Sequence, residues 1–281
     1  MKQIISAVTI MICINSYSQQ SEFEIGLYNI GLGGFGSAIG AVINKKPNEK
    51  KFNVFCNGFL KGSLGGAFVY GSKKMVSQIH IKEKIEYNWP AKILNSLGTS
   101  IIENASSNRG FLEQIHINFG FNRLEFYPKE NFKVKYKVMP AALVTTFISA
   151  IDSKPEWGLM LRSGEVIFST NDKNLESLNG QTLLTSFKVR ESEINNYLVL
   201  AHEIIHLYQY SDYNFVNPYF NKLTTKINTG NKFIDSNIYW DFNSIVIGSL
   251  YQLENINRSN YYNNFFEYEA AFFSNTLYLA D

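Results

Sequence analysis

Small residues recur at four-residue spacing near the N-terminus: Gly36 and Gly40, then Gly58, Gly62 and Gly66. At helical period this puts a side-chain-free stripe on one face, where two backbones can approach closely. The two runs, Gly26 to Ile43 and Phe52 to Tyr70, flank a charged, proline-containing break from Lys45 to Lys51. The halves fit a helical hairpin. Its environment is either a bilayer, with membrane association through residues 26–71, or a tightly packed Gly-rich subdomain in helices or strands. Asn29, Asn57 and Lys61 lie inside the runs, and glycine weakens any helix, so the packed alternative is favoured.

The chain ahead of this region has the pattern of a secretory signal. Lys2 gives the positive start, Ile4 to Ile14 is an apolar run, and Ser16-Tyr17-Ser18 supplies small residues at a cleavage site, so residues 1–18 are expected to leave. Ile12 before Cys13 disfavours a lipoprotein signal. Export is implied, to the periplasm, the outer membrane or the exterior. Cys13 would leave with the signal, which isolates Cys56 and removes any internal disulfide, so stability rests on core and metal. The net charge of +2 argues against nucleic acid as partner. A hydrophobic content of 45% over 281 residues permits a sizeable core.

Periodicity predicts a helix over residues 89–105, with Ile93, Leu94, Leu97 and Ile101 on one face and Pro90 in its first turn. Residues 111–168 read mostly as strands. Ile115, Ile117 and Phe119 alternate with His116 and Asn118, and Leu124 and Phe126 resume the alternation. Residues 140–151 are apolar and fit helix or strand. Met160 to Phe168 reads as a hairpin turning at Ser163-Gly164. A boundary falls near Asp152 to Glu156, separating a Gly-rich subdomain at 19–150 from a catalytic region at 151–281.

The segment from Ile194 to Tyr208 carries the chemistry. Ile194, Tyr197, Leu198, Ala201, Ile205 and Tyr208 recur at helical spacing, with Ser192 and Glu193 as capping and first-turn residues. On that helix His202 and His206 stand one turn apart and can reach a single tetrahedral zinc ion, Zn2+. Glu203 projects beside the metal, where it can take a proton from metal-activated water as the catalytic base. This pattern predicts a zinc metallopeptidase with a peptide or protein substrate.

A catalytic zinc takes a third protein ligand. Asp212 is one candidate, six residues after His206 (212 − 206). Glu267 and Glu269, on an apolar C-terminal helix, are the others. They are the only charges from 261 to 280, and an unpartnered carboxylate in such a setting is costly. Here the sequence resembles the gluzincins of the zincin metallopeptidase superfamily, whose third ligand is a Glu on a later helix. The resemblance covers about residues 192–280. It implies metal ligands His202, His206 and Glu267, the last 61 residues after His206 (267 − 206), with small Ala270 three positions on where two helices cross. Ala271 stands where some related families place a carboxylate that orients a zinc-bound histidine.

The fold class implied is α+β: a zincin-like domain with an active-site helix, a small antiparallel sheet and a C-terminal ligand helix, preceded by the Gly-rich subdomain. The Met160 to Phe168 hairpin is the expected substrate-binding edge. Tyr239, Tyr251, Tyr261 and Tyr262 are the candidate oxyanion stabilisers. Tyr208 and Gln209 fit either core or support of the metal ligands, and His80 and His116 read as non-ligands. A zinc-holding protein without turnover, or a membrane-associated surface protein, is the competing expectation.

Overall fold

The computed structural model describes residues 21–175, 178–221, 230–256 and 264–277. The expected signal segment, 1–18, lies outside them, as do Tyr261 and Tyr262. Among the described residues the fold is mixed α+β, mostly helical, with two small sheets.

The N-terminal region is a helical hairpin of α1 (Glu22–Ile43) and α2 (Lys51–Val76). Ser21 and Glu24 form a reciprocal capping box that starts α1. The small-residue stripe is where the two backbones meet. A Cβ on Gly33 would lie 2.6 Å from the Gly62 carbonyl oxygen, and Gly66 packs against the carbonyl of Asn29. Helix α1 is long and apolar enough to cross a membrane by length and composition, and 67% of its apolar window is buried. Phe23, Leu27, Phe52 and Leu60 are exposed on the hairpin. The short helix α3 (Gln78–Lys82) leads to α4 (Asn88–Ser106), the helix expected over 89–105, which packs on α2 through Gly65 and Gly98.

Strands β1 (Ile115–Phe119), β2 (Asn122–Tyr127) and β3 (Lys133–Val138) form an antiparallel meander in which Ile115 faces Phe126 and Asn122 faces Val138. The alternation is present, but the buried face is the polar one: His116, Arg123 and Glu125 point inward, while Ile115, Ile117 and Leu124 are half-buried. The apolar stretch after β3 is a helix, α5 (Pro140–Ala150), with Pro140 in its first turn.

The second sheet corrects two expectations. Its strands are β4 (Ser153–Pro155), β5 (Val166–Thr170), β6 (Gly180–Leu183) and β7 (Ser186–Arg190), ordered β4-β5-β7-β6. It is mixed rather than antiparallel, because β5 and β7 run parallel. The expected Met160–Phe168 hairpin does not form. Residues Trp157–Ser163 are a helix, α6, and Gly164 (φ 76°) is its left-handed cap, with its N–H on the Met160 carbonyl. A Ser-Gly pair signals a hairpin turn and a helix stop equally well.

The remaining helices are α7 (Tyr197–Asp212), α8 (Val216–Tyr219), α9 (Lys232–Asn237), α10 (Phe242–Ile256) and α11 (Phe265–Ser274). Leu200, Ile204 and Ile205 of α7 join Ile167 and Phe187 of the second sheet and Ala270 and Phe273 of α11 in one core. A second core gathers Leu32, Val69 and Ile102 of the N-terminal helices with Phe215, Ile247 and Phe266. Helix α7 lies between these layers.

Candidate metal centre

Helix α7 begins at Tyr197 because Asn196 caps it, its side chain accepting from the Leu198 N–H at 3.1 Å; the cap is Asn196, not Ser192. Burial of Leu200, Ala201, Ile204 and Ile205 fixes the helix rotation and turns His202 and His206 toward α11. Asn264 caps α11 in the same way, accepting from the Phe266 and Glu267 N–H groups. Phe265, Phe266, Ala270 and Ala271 bury the flanks of α11 and leave Glu267 facing the two histidines.

The three side chains converge on one point. His202 Nε2 and His206 Nε2 lie 3.1 Å apart, and each lies 3.2 Å from Glu267 Oε2. Ligands of a tetrahedral zinc, with bonds of about 2.0–2.1 Å, stand about 3.3 Å from one another. The observed triangle has that edge length. Among the described residues, the ion pairs of Glu267 are to these two histidines and to no lysine or arginine. His202, His206 and Glu267 therefore form a buried group that could hold a metal ion.

The electrostatics show a site that gathers positive charge. Burial alone would lower the His206 pKa, but the Glu267 carboxylate and its hydrogen bond reverse this and lift it to about 9. Burial works to raise Glu267, and the two histidines overcome it and hold Glu267 well below the usual carboxylate range. Burial pushes Glu203 upward, against the pull of His206, His202 and a hydrogen bond from Thr182.

The three groups are fixed from behind. His206 Nδ1 lies 2.8 Å from Gln209 Oε1, and the Gln209 amide nitrogen donates to the Phe266 carbonyl at 2.8 Å and to Glu269 Oε2 at 2.9 Å. With the amide nitrogen so committed, Gln209 presents its oxygen, and this favours, for a neutral His206, the tautomer with its proton on Nδ1 and a lone pair on Nε2. Tyr251 donates to Glu267 Oε1 at 2.5 Å. Ser274 Oγ, one turn beyond Ala271, is 3.5 Å from His202 Nδ1.

Glu203 lines the same cleft as His206 and Glu267. Thr182 Oγ1 donates to its Oε2 at 2.6 Å. A Cβ on Gly180 would lie 2.5 Å from Glu203 Oε1, so a larger residue there would displace the carboxylate. Among the described residues β6 pairs with β7 alone, and residues 180–183 line a cleft of about 210 Å³ with Glu203, His206 and Tyr251. The cleft edge is thus β6 and not the Met160–Phe168 segment. A larger cavity, about 490 Å³, lies between β2–β3 and α9, away from the histidine pair.

The rival third-ligand candidates are occupied elsewhere. Asp212 and Glu269 both pair with buried Lys73, at 2.5 and 2.9 Å. Tyr239 lies over Arg123, with the guanidinium carbon 3.8 Å from the ring centre. His116 is held by hydroxyls, Nδ1 by Ser100 at 3.1 Å and Nε2 by Thr99 at 3.2 Å. His80 sits on α3, and neither it nor His116 belongs to a metal-competent group among the described residues. Sequence reasoning missed Thr182, Gly180 and Lys73. The first two belong to a four-residue strand too short to show alternation, and Lys73 carries no local signal at all. Comparison of the chain with protein-family models, with curated proteins and with solved structures finds no match.

Proposed function

We propose that this protein is a zinc-dependent peptide-bond hydrolase of the zincin type, gluzincin-like in taking its third ligand from a later helix. The observation that carries this reading is the triangle of His202 Nε2, His206 Nε2 and Glu267 Oε2, with edges of 3.1–3.2 Å. Two imidazoles and one carboxylate are the donor set of a catalytic zinc that keeps a further position open. A bound zinc supplies an acidified water and polarises the carbonyl of the scissile bond.

The chain's own residues supply the rest. Glu203 accepts the water's proton at its carboxylate and passes it to the leaving nitrogen, and burial raises its basicity toward that task. Thr182 holds Glu203 in place from the edge strand. The free edge of β6 pairs with an extended peptide by main-chain hydrogen bonds and lays it beside the carboxylate. Tyr251 lines the cleft, and its single hydroxyl proton, given to Glu267 in this structure, would have to turn from Glu267 to serve the developing oxyanion.

The test combines metal analysis with peptide hydrolysis. Glu203→Gln should keep stoichiometric zinc and lose about 10²–10⁴ of the rate. His202→Ala and Glu267→Ala should both lose the metal. Unchanged hydrolysis by Glu203→Gln refutes the assigned base, and a wild-type chain that takes up no zinc refutes the centre.

A further inference from the structure

We propose that Lys73, carried by the N-terminal hairpin, is a positioning residue for the metal centre and acts on His206 through Glu269 and Gln209. The inference rests on the zinc reading above and extends it to a part of the chain with no ligand of its own.

Lys73 is fully buried near the end of α2. Its ammonium has three protons and three acceptors: Asn29 Oδ1 at 3.0 Å, Asp212 Oδ2 at 2.5 Å and Glu269 Oε2 at 2.9 Å. An ammonium cannot accept, so hydrogen-bond direction is imposed from this end of the chain of contacts. Glu269 must accept from Lys73. It also accepts from the Asn29 amide at its other oxygen, at 2.8 Å. Glu269 Oε2 then accepts from Gln209 Nε2 at 2.9 Å, which turns Gln209 Oε1 to His206 Nδ1 at 2.8 Å.

The consequence reaches the metal. A histidine that donates from Nδ1 has a lone pair on Nε2, the form that binds a cation. If the Glu269 carboxylate were not held in place, the Gln209 amide would keep the Phe266 carbonyl, at 2.8 Å, as its one remaining restraint and would rotate by half a turn more readily. It would then offer an N–H to His206 Nδ1 and favour the opposite tautomer, with a proton on Nε2 where the metal bonds. Lys73 and Asn29, from α2 and α1, oppose this by fixing Glu269, in addition to the Phe266 carbonyl. Gly66 lets α2 pack closely on the Asn29 carbonyl, and Lys73, further along α2, donates to the Asn29 side chain at 3.0 Å. The alternative is that Lys73 only neutralises two buried carboxylates and has no effect on the imidazole.

A double-variant cycle on zinc affinity separates the two. Lys73→Met, Gln209→Met and the combined variant of the full chain are titrated with zinc against a chromogenic chelator, and their cobalt-substituted forms are compared by visible absorption. Each single change is expected to weaken zinc binding about 10–100-fold, the usual loss for a group that orients a ligand. The combined variant should bind no worse than the weaker single by more than about 3-fold, because Lys73 has no route to the metal once Gln209 is gone. Its cobalt bands should match those of Gln209→Met. If Lys73→Met does not fold, Glu269→Met, which removes the acceptor that Lys73 holds, replaces it in the same cycle, with the same expected result. Wild-type affinity in the folded Lys73→Met chain, or losses that multiply in the combined variant, overturns the proposal. A wild-type chain that binds no zinc overturns the metal centre and this inference together, whereas multiplying losses in a zinc-binding protein overturn this inference alone.

Discussion

The protein buries two histidine–carboxylate groups, and they are built in opposite ways. At His202, His206 and Glu267, three atoms that could ligate a metal meet with no lysine or arginine among their described ion pairs. At His116, Glu103 and Glu125, the carboxylates share Arg123, which lies 2.8 Å from each. The charge states follow. His206 is lifted to about 9 by Glu267 against burial, while burial and the neighbouring Arg123 push His116 down to about 3. One group is short of a cation and the other carries its own. A buried histidine beside a glutamate is therefore not by itself a sign of metal. What matters is whether the protein has already supplied the positive charge, because uncompensated carboxylates are too costly to bury.

The largest effect that would sharpen this contrast comes from removing the built-in cation. Arg123→Met should destabilise the fold by about 3–5 kcal/mol in chemical denaturation, since it strands Glu103 and Glu125. Zinc content should not change. Loss of zinc in that variant would show that the two groups are coupled and break the comparison.

The same cluster should set the acid limb of stability. Burial would raise Glu103 and Glu125, but Arg123 overcomes it and holds both at about 2. Their contribution is present above about pH 4.5 and is lost as pH falls toward 2. His116 acts in the same direction. The unfolded chain binds a proton below about pH 6.5 that folded His116 refuses until about 3, so stability falls as pH drops through that window. Denaturation midpoints measured from pH 7 to pH 3 should fall steeply in the wild type and less steeply in Arg123→Met. Parallel curves for the two proteins would refute the assignment.

The metal side predicts a smaller gain. Zinc at about 100 times its Kd should add about 2.7 kcal/mol to stability, read as a rise in Tm. His202→Ala should abolish the rise and His116→Ala should preserve it. The smallest effect expected is that of Tyr251→Phe, which removes one hydrogen bond to Glu267. It should weaken zinc binding about tenfold by chelator competition, with the fold intact. An unchanged affinity would leave Tyr251 to the cleft wall alone.

How much of this was legible in the sequence follows from the range of each interaction. His202, Glu203 and His206 sit within one helical turn, so their relation is local and the spacing gives it away. Glu267 was legible for a different reason, as a carboxylate on an apolar helix that needed a partner. That argument applied equally to Glu269; the resemblance, with Ala270 three positions on, favoured Glu267, and the tertiary structure has one facing the histidines and the other Lys73. Lys73 lies 196 positions from Glu269, and no periodicity links them. The hairpin pairing was visible in the glycine spacing, because close backbone contact needs a repeating small residue. Gly164 misled because a helix stop and a hairpin turn use the same residue. The first sheet misled more subtly: its alternation was plain, but which face turns inward depended on Arg123 finding two acids.

The brevity of β6 bears on what the cleft can select. At about 3.4 Å per residue, Gly180–Leu183 offers about 14 Å of backbone for pairing. A docked chain would be gripped over only a few links beside Glu203, by contacts that ignore the identity of its side chains. On the proposed function, discrimination would then depend less on a recognition motif than on whether a target can surrender a short bare stretch of main chain. Frayed tails, loops and damaged proteins would meet that demand, and well-ordered sheets and helices would not.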